Sequence, residues 1–166
     1  LMATSTESLA ACLAALSTDD WTSLAESPPG HVTVSSVAHH ALWDSWTHER
    51  DVLLPLGVSP IEEPDELLAC LRYVTALTPA LAVCGGGAGS GSFDVSVTDP
   101  DADFHVEIGD DVEVTAGATG SDFVLRGRAV DLIEALSFRR PLEHDVPDDM
   151  EWVFSGLGTA FDHEDE

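Results

Sequence analysis

Apolar residues recur along this chain at two periods, and the change between them divides it. Up to Val83 they return every three or four residues. From Phe93 to Leu125 they alternate with polar ones, and after Arg128 the longer period resumes. The first stretch predicts three helices. Thr4–Leu16 carries Leu9, Leu13 and Leu16 as a stripe, with Thr4 or Thr6 as cap and Glu7 in the first turn. Thr18-Asp19-Asp20-Trp21 opens a short helical turn, and Ser27-Pro28-Pro29-Gly30 breaks the chain. Ser35–Pro55 reads as one helix, capped by Ser35 or Ser36 and stopped by Pro55 and Gly57, with Val37, Leu42, Trp46, Leu53 and Leu54 as its apolar positions. Pro64–Val83 follows, with acids in its first turn and Pro79 ending or kinking it.

The alternating stretch predicts four short strands in an antiparallel meander: around Phe93–Val97, Phe104–Ile108, Val112–Val114 and Phe123–Leu125. One face is apolar and the other acidic, with His105 on the solvent side. Arg128–Phe138 forms a helix, and a last helix opens at Asp145 with Pro147 near its first turn, burying Trp152, Val153, Leu157 and Phe161 before a frayed acidic tail. The fold class is therefore α+β: an N-terminal helical hairpin from Thr4 to Pro55, then a four-stranded antiparallel sheet with flanking helices. The division falls into residues 1–57, a helical region that cannot bury its apolar face alone, and residues 58–166, an α+β domain.

Charge changes the picture most. The 166 residues carry 31 acids against six basic residues, all arginine, for a net charge of -25. Such a chain repels phosphate backbones and anionic membranes, so nucleic-acid and membrane partners are disfavoured. No run reads as long and apolar enough to span a bilayer, and no signal peptide is visible. Cys12, Cys70 and Cys84 form no Cys-x-x-Cys pair, which leaves buried, reduced thiols in a cytoplasmic protein as the expectation. The glycines from Gly85 to Gly91 follow a helix, lack a lysine and lack the Gly-x-Gly-x-x-Gly register. They read as a turn into a strand, not a phosphate loop.

Candidate chemistry is concentrated on the Ser35–Pro55 helix, where His40, Asp44 and His48 follow one another at four-residue steps. Two imidazoles flanking a carboxylate can bind a divalent metal such as zinc. The two histidines lie about 12 Å apart along a straight helix, so Asp44 pairs with one of them and a further ligand must come from another element or chain. The alternative reading of the same spacing is an Asp–His pair on a solvated helix face.

The assembled pattern resembles the mycothiol-dependent maleylpyruvate isomerase family, which joins a DinB-like helical metal domain to a C-terminal domain reminiscent of sterol carrier proteins. The likeness rests on Trp43-Asp44-Ser45-Trp46-Thr47-His48-Glu49-Arg50-Asp51 with Leu54-Pro55-Leu56-Gly57, on the run from Leu125 to Arg140, and on Trp152 through Phe161. The resemblance implies a metal bound by a carboxylate and a histidine four residues later, here Asp44 and His48, with His40 or Glu49 behind them. It also implies a thiol cofactor, mycothiol, held by the metal as thiolate for an isomerase or transferase reaction. The family's earlier histidine ligand has no counterpart before His31. Three readings follow: a piece of a longer protein, a shortened relative without activity, or a bundle completed by two chains, with His31 or His39 as the nearest donors. The other function class implied is a non-catalytic small-ligand-binding module of sterol-carrier type, and the third a structural homodimer through the N-terminal helices.

Overall fold

The computed structural model describes residues 2–27, 30–86 and 89–161. The elements are α1 (Met2–Ala14), α2 (Thr18–Trp21), β1 (Leu24–Ser27), β2 (Gly30–Thr33), α3 (Val34–Leu53) and a 3₁₀ turn (Leu54–Leu56). There follow α4 (Pro64–Cys84), β3 (Gly91–Thr98), β4 (Ala102–Ile108), β5 (Val112–Ala116), β6 (Val124–Arg128), α5 (Ala129–Leu136) and α6 (Glu151–Phe161). The protein is α+β with one four-stranded sheet.

The sheet is mixed, not antiparallel throughout. Strand order is β5-β4-β3-β6: β3, β4 and β5 form the expected meander, but β6 pairs with β3 in parallel. The register explains the departure. Ala116, at the end of β5, stands opposite Phe104, which stands opposite Val95. Val124, at the start of β6, stands opposite Asp94. Residues 117–123 therefore cross the sheet from one edge to the other at nearly constant height, and β6 starts out in the direction of β5. Apolar alternation shows which face each strand buries; it says nothing about which edge the last strand joins.

Phe93, Val95, Val97, Phe104, Val106 and Ile108 cover the helical face of the sheet. Against them lies α4, flanked by α3, α5 and α6. Residues of α4 such as Leu71 and Val74 share one buried cluster with Trp43 and Trp46 of α3 and Val153 and Leu157 of α6. By length and composition α4 could cross a membrane (mean hydropathy 1.7), against the sequence expectation that no run qualifies; here it is the central core helix. Pro79 neither ends nor visibly breaks it, since the helix runs on to Cys84. Just there α6 crosses α4 so closely that a Cβ on Gly156 would stand 2.0 Å from the Thr78 carbonyl oxygen, which only glycine permits.

Other boundaries also move. Thr33, not Ser35 or Ser36, caps α3: its Oγ1 accepts the Ser36 N–H at 3.1 Å. Neither Thr4 nor Thr6 caps α1; both lie inside it. The Ser27–Gly30 break is the turn of an antiparallel hairpin, β1 with β2, whose residues 28 and 29 lie outside the described residues. Arg128 belongs to β6, so α5 is shorter than expected, and α6 opens at Glu151, after the Pro147 turn. The side chain of Phe161 and the tail 162–166 lie outside the described residues. Of the three free cysteines only Cys70 is buried, so the expectation of buried thiols fails for Cys12 and Cys84. Burial, with the Glu66 charge adding to it, pushes the Cys70 thiol up to about 12, which removes it as a nucleophile near neutral pH.

Candidate functional site

The helix α3 presents three distinct faces, and the expected His40–Asp44–His48 line is divided between them. His40 turns towards α4. Its Nδ1 lies 2.8 Å from the Tyr73 hydroxyl, and its ring packs against Trp43 and Tyr73. Burial and then the Asp44 charge raise the Tyr73 hydroxyl to about 12, so it stays a protonated donor. His48 remains on the open face. Its Nε2 lies 3.4 Å from Asp44 Oδ1 and its Nδ1 3.3 Å from Asp51 Oδ2, with about half or more of both the His48 and Asp44 side chains exposed. Asp51 continues the chain to Arg139, whose NH2 donates to it at 2.7 Å. The bond from Arg139, opposed by burial and helped by the charges of Arg139 and His48, holds the Asp51 carboxyl below its usual range.

The predicted ligands Asp44 and His48 thus stand together, but as two donors. Among the described residues, no group of three His, Cys, Asp or Glu side chains is placed to hold one metal ion. Glu49 is exposed, and its charge helps burial to push Glu66 up; it does not approach His48 as a polar partner. His31 stands 3.9 Å from Glu26, and His39 Nδ1 lies 2.7 Å from its own helix's Ser35 carbonyl. Among the described residues neither makes a polar contact with Asp44.

One turn further round α3, a cavity of about 250 Å³ opens between the C-terminal half of α3, the 3₁₀ turn and the end of α5. Three features of the sequence shape it. Trp46 and Arg50 are an i,i+4 pair, and the Arg50 guanidinium lies 4.6 Å over the Trp46 ring. Arg50 is 8% exposed and bound on its inner side by Glu134 (Nε–Oε1 2.9 Å, NH2–Oε1 2.8 Å), with Glu62 at 3.4 Å. Finally, α5 ends in a turn with Phe138 at φ 57°, a left-handed conformation that a bulky residue adopts only at a cost. The Arg139 N–H closes that turn on the Glu134 carbonyl, which sets both Ser137 and Arg139 on the cavity wall.

The two tryptophans on α3 differ in how their indole N–H is served. Trp43 and Trp46 are both buried, 5% and 3% exposed. Trp43 Nε1 donates to Ser137 Oγ at 2.9 Å, whereas Trp46 Nε1 is buried and has no hydrogen-bond partner among the described residues. A buried donor left unsatisfied costs about 1–3 kcal/mol. Sequence reasoning placed Trp46 on the apolar stripe and passed over this cavity. An indole reads as apolar in any periodicity, and only the packing shows whether its N–H is paired.

A second polar cluster lies on the far face of the sheet, under the crossing segment 117–123. Asp94, 1% exposed, accepts the backbone N–H groups of Thr119, Gly120 and Ser121 at 2.8–3.2 Å and takes His105 Nδ1–H at 2.9 Å. Burial alone would push this carboxyl up, but those four donors outweigh it and hold it well below the ordinary range. His105 is therefore not solvent-exposed as its strand position implied: the crossing segment covers it. The Asp94 bond raises its pKa against the effect of burial, with Glu107, 3.3 Å from Nε2, adding to it. The residue types suggest a nucleophile–histidine–carboxylate relay, but the geometry refuses one. Thr119 Oγ1 and Asp94 meet the same nitrogen, Nδ1, while Nε2 faces Glu107.

Comparison with family models, with curated proteins and with solved structures finds no match to this chain.

Proposed function

We propose that this chain is a small-ligand-binding module whose site is the cavity between α3 and the end of α5. The observation that supports it is the cavity of about 250 Å³ whose lining joins the apolar surfaces of Trp46, Leu54 and Pro55 to two arginine–carboxylate pairs, Arg50 with Glu134 and Arg139 with Asp51. Ligand sites combine apolar walls with a few fixed polar groups, and here Leu54, Pro55 and the Trp46 ring supply the first while Ser137 and two arginines with their carboxylate partners supply the second. The test is a ligand-observed NMR screen of small fragments against the wild type and Leu54→Trp, a change at a half-exposed residue on the cavity mouth. Fragments that bind the wild type and lose binding in the variant support the reading. A screen in which no fragment depends on Leu54 refutes it.

A second reading is favoured by the His48 imidazole held between Asp44 and Asp51. In it, Asp44 and His48 are two ligands of zinc or another divalent ion. A third comes from another helix or from a second copy, through His31 or His39, and His40 or Glu49 plays no more than a supporting part. A metal there would lower the pKa of a bound thiol such as mycothiol and so supply a nucleophile for an isomerase or transferase of the maleylpyruvate isomerase kind. The partial DinB-like bundle formed by the N-terminal helices, a homodimer through them and a cytoplasmic location belong to the same proposal. Calorimetric titration of zinc into wild type, Asp44→Ala and His48→Ala tests it. Loss of binding in both variants is expected, and equal affinity in all three rules the pair out.

A further inference from the structure

The geometry points to a second ligand site, independent of the cavity between α3 and the end of α5. It is the groove between the first turns of α3, the middle of α4 and β5, and it takes a small apolar carboxylate paired with Arg72. The groove has a volume of about 620 Å³. Its floor is one face of α4, where Leu68, Arg72 and Ala76 follow at four-residue steps with Tyr73 beside them. Its outer wall is the edge strand β5. Alternation along that strand turns Val112 and Val114 to the groove and Glu113 to the other face. Leu68, Tyr73, Val112 and Val114 are each half-buried, so solvent and a ligand reach them.

The guanidinium among these apolar walls lacks what its counterparts have. Arg50, Arg128, Arg139 and Arg140 each face a carboxylate. Arg72 has no carboxylate partner among the described residues, in a chain with 31 acids. It is exposed and yet held in place: NH2 donates to the Val114 carbonyl at 3.2 Å, and the guanidinium carbon lies 5.4 Å from the centre of the Phe104 ring. That bond occupies one of its N–H donors and leaves the rest of the fork free for a carboxylate. Arg126 is the other arginine without an ion pair, but the cavity it lines contains Asp131 and Glu143. In the groove the one acid is Asp65. It lies about 10 Å from Arg72 along α4 and accepts the Glu66 N–H in the first turn of its own helix. His39, across the groove, donates from Nδ1 to the Ser35 carbonyl, so a proton taken up at Nε2 makes it a second cation. The Tyr73 hydroxyl stays neutral and meets His40 Nδ1.

Charge and surface together set the ligand class. One guanidinium balances one negative charge. A dianion leaves a surplus in a chain of net charge -25, and a neutral molecule leaves Arg72 as it stands. A monocarboxylate on an apolar body engages both parts of the site, the fork through its oxygens and the half-buried side chains through its body.

The experiment titrates phenylacetate, phenylacetamide and phenyl phosphate into ¹³C-methyl-labelled protein at pH 7.5. The expected result is a saturable shift of the Leu68, Val112 and Val114 methyl signals with phenylacetate. Binding of phenylacetamide to the wild type, and of phenylacetate to Arg72→Gln, should each be weaker by about tenfold or more. Arg126→Gln should leave the affinity for phenylacetate unchanged. The comparison of acid with amide is made in the wild type, so it does not depend on how well Arg72→Gln folds. Equal binding of acid and amide overturns the pairing with Arg72. Tighter binding of phenyl phosphate than of phenylacetate overturns the choice of a monocarboxylate. No saturable shift at the three residues removes the site, and a shift of the Leu54 methyls in their place removes it while supporting the cavity between α3 and α5.

Discussion

Two polar clusters in this protein differ in one respect, whether their hydrogen bonds are complete. Under the crossing segment of the sheet, Asp94 has a donor for each oxygen: the N–H groups of Thr119, Gly120 and Ser121, and His105. At the end of α3, Trp46 Nε1 has none. Both are buried, and both contain residue types that invite a functional reading. A saturated cluster has no free valence for a substrate; what it does is fix the chain that supplies its donors, here the return from β5 to β6. An unsaturated buried donor carries a standing cost and fixes nothing. On that ground the Asp94–His105 set, which looks more like an active site, is assigned a structural part, and the cavity between α3 and the end of α5 is the one proposed to take a ligand.

The largest effect tests the charges beneath the cavity. Glu134→Ala strips Arg50 of its two short contacts and leaves a buried guanidinium with Glu62 alone. Removing one partner of a buried ion pair costs about 3–5 kcal/mol, so chemical denaturation should show an unfolding free energy lowered by that amount, as an earlier midpoint without a change of slope. A loss below about 1 kcal/mol would show that Arg50 rotates to solvent and that the cavity floor is not fixed.

A smaller effect bears on the comparison directly. Trp43 and Trp46 lie on one helix with nearly equal burial, and differ in that one N–H is paired and the other is not. Replacing each with Phe removes a similar volume. Trp43→Phe also breaks a hydrogen bond to Ser137, whereas Trp46→Phe removes an unsatisfied donor. Trp43→Phe should therefore be the more destabilising by about 1–2 kcal/mol, read from urea midpoints of the two variants. Equal losses would mean that Trp46 Nε1 is satisfied in solution, and the distinction between the two clusters would fall.

Much of this was legible in the sequence. Period alone placed α4, the strands and their buried faces, because burial on one side leaves a mark at every second or every third to fourth residue. Asp44 and His48 were found from spacing, since four residues bring two side chains together on any helix. What period could not show is contact between distant segments. The parallel pairing of β6, the cover over His105, and the division of His40 from Asp44 by Tyr73 all depend on residues far along the chain. The cavity escaped for the same reason. Its wall joins α3 to residues 134–139.

The smallest effect concerns pH and separates the two clusters once more. His105 has a raised pKa in the folded protein, so the stability it contributes is full below its unfolded value of about 6.5 and is lost as pH rises through the folded value. Asp94 has a depressed one, so its contribution is present above about pH 4 and is lost as pH falls below that. The segment 117–123 is thus held best between the two, roughly pH 4 to 6.5. Above that window the neutral imidazole keeps Nδ1–H on Asp94 but no longer donates from Nε2 to Glu107. The melting temperature of the wild type should decline as pH rises from 6 to 9, and His105→Gln should flatten that part of the decline. The remaining slope in the variant measures the self-repulsion of a chain with 31 acids, which raising the salt concentration should reduce and which the His105 contribution, being buried, should largely escape. Amide exchange at Thr119, Gly120 and Ser121, corrected for the intrinsic pH dependence of exchange, locates the effect. A pH-dependent loss of protection confined to those three groups assigns the decline to the His105 cluster, and a uniform loss across the sheet assigns it to charge repulsion alone.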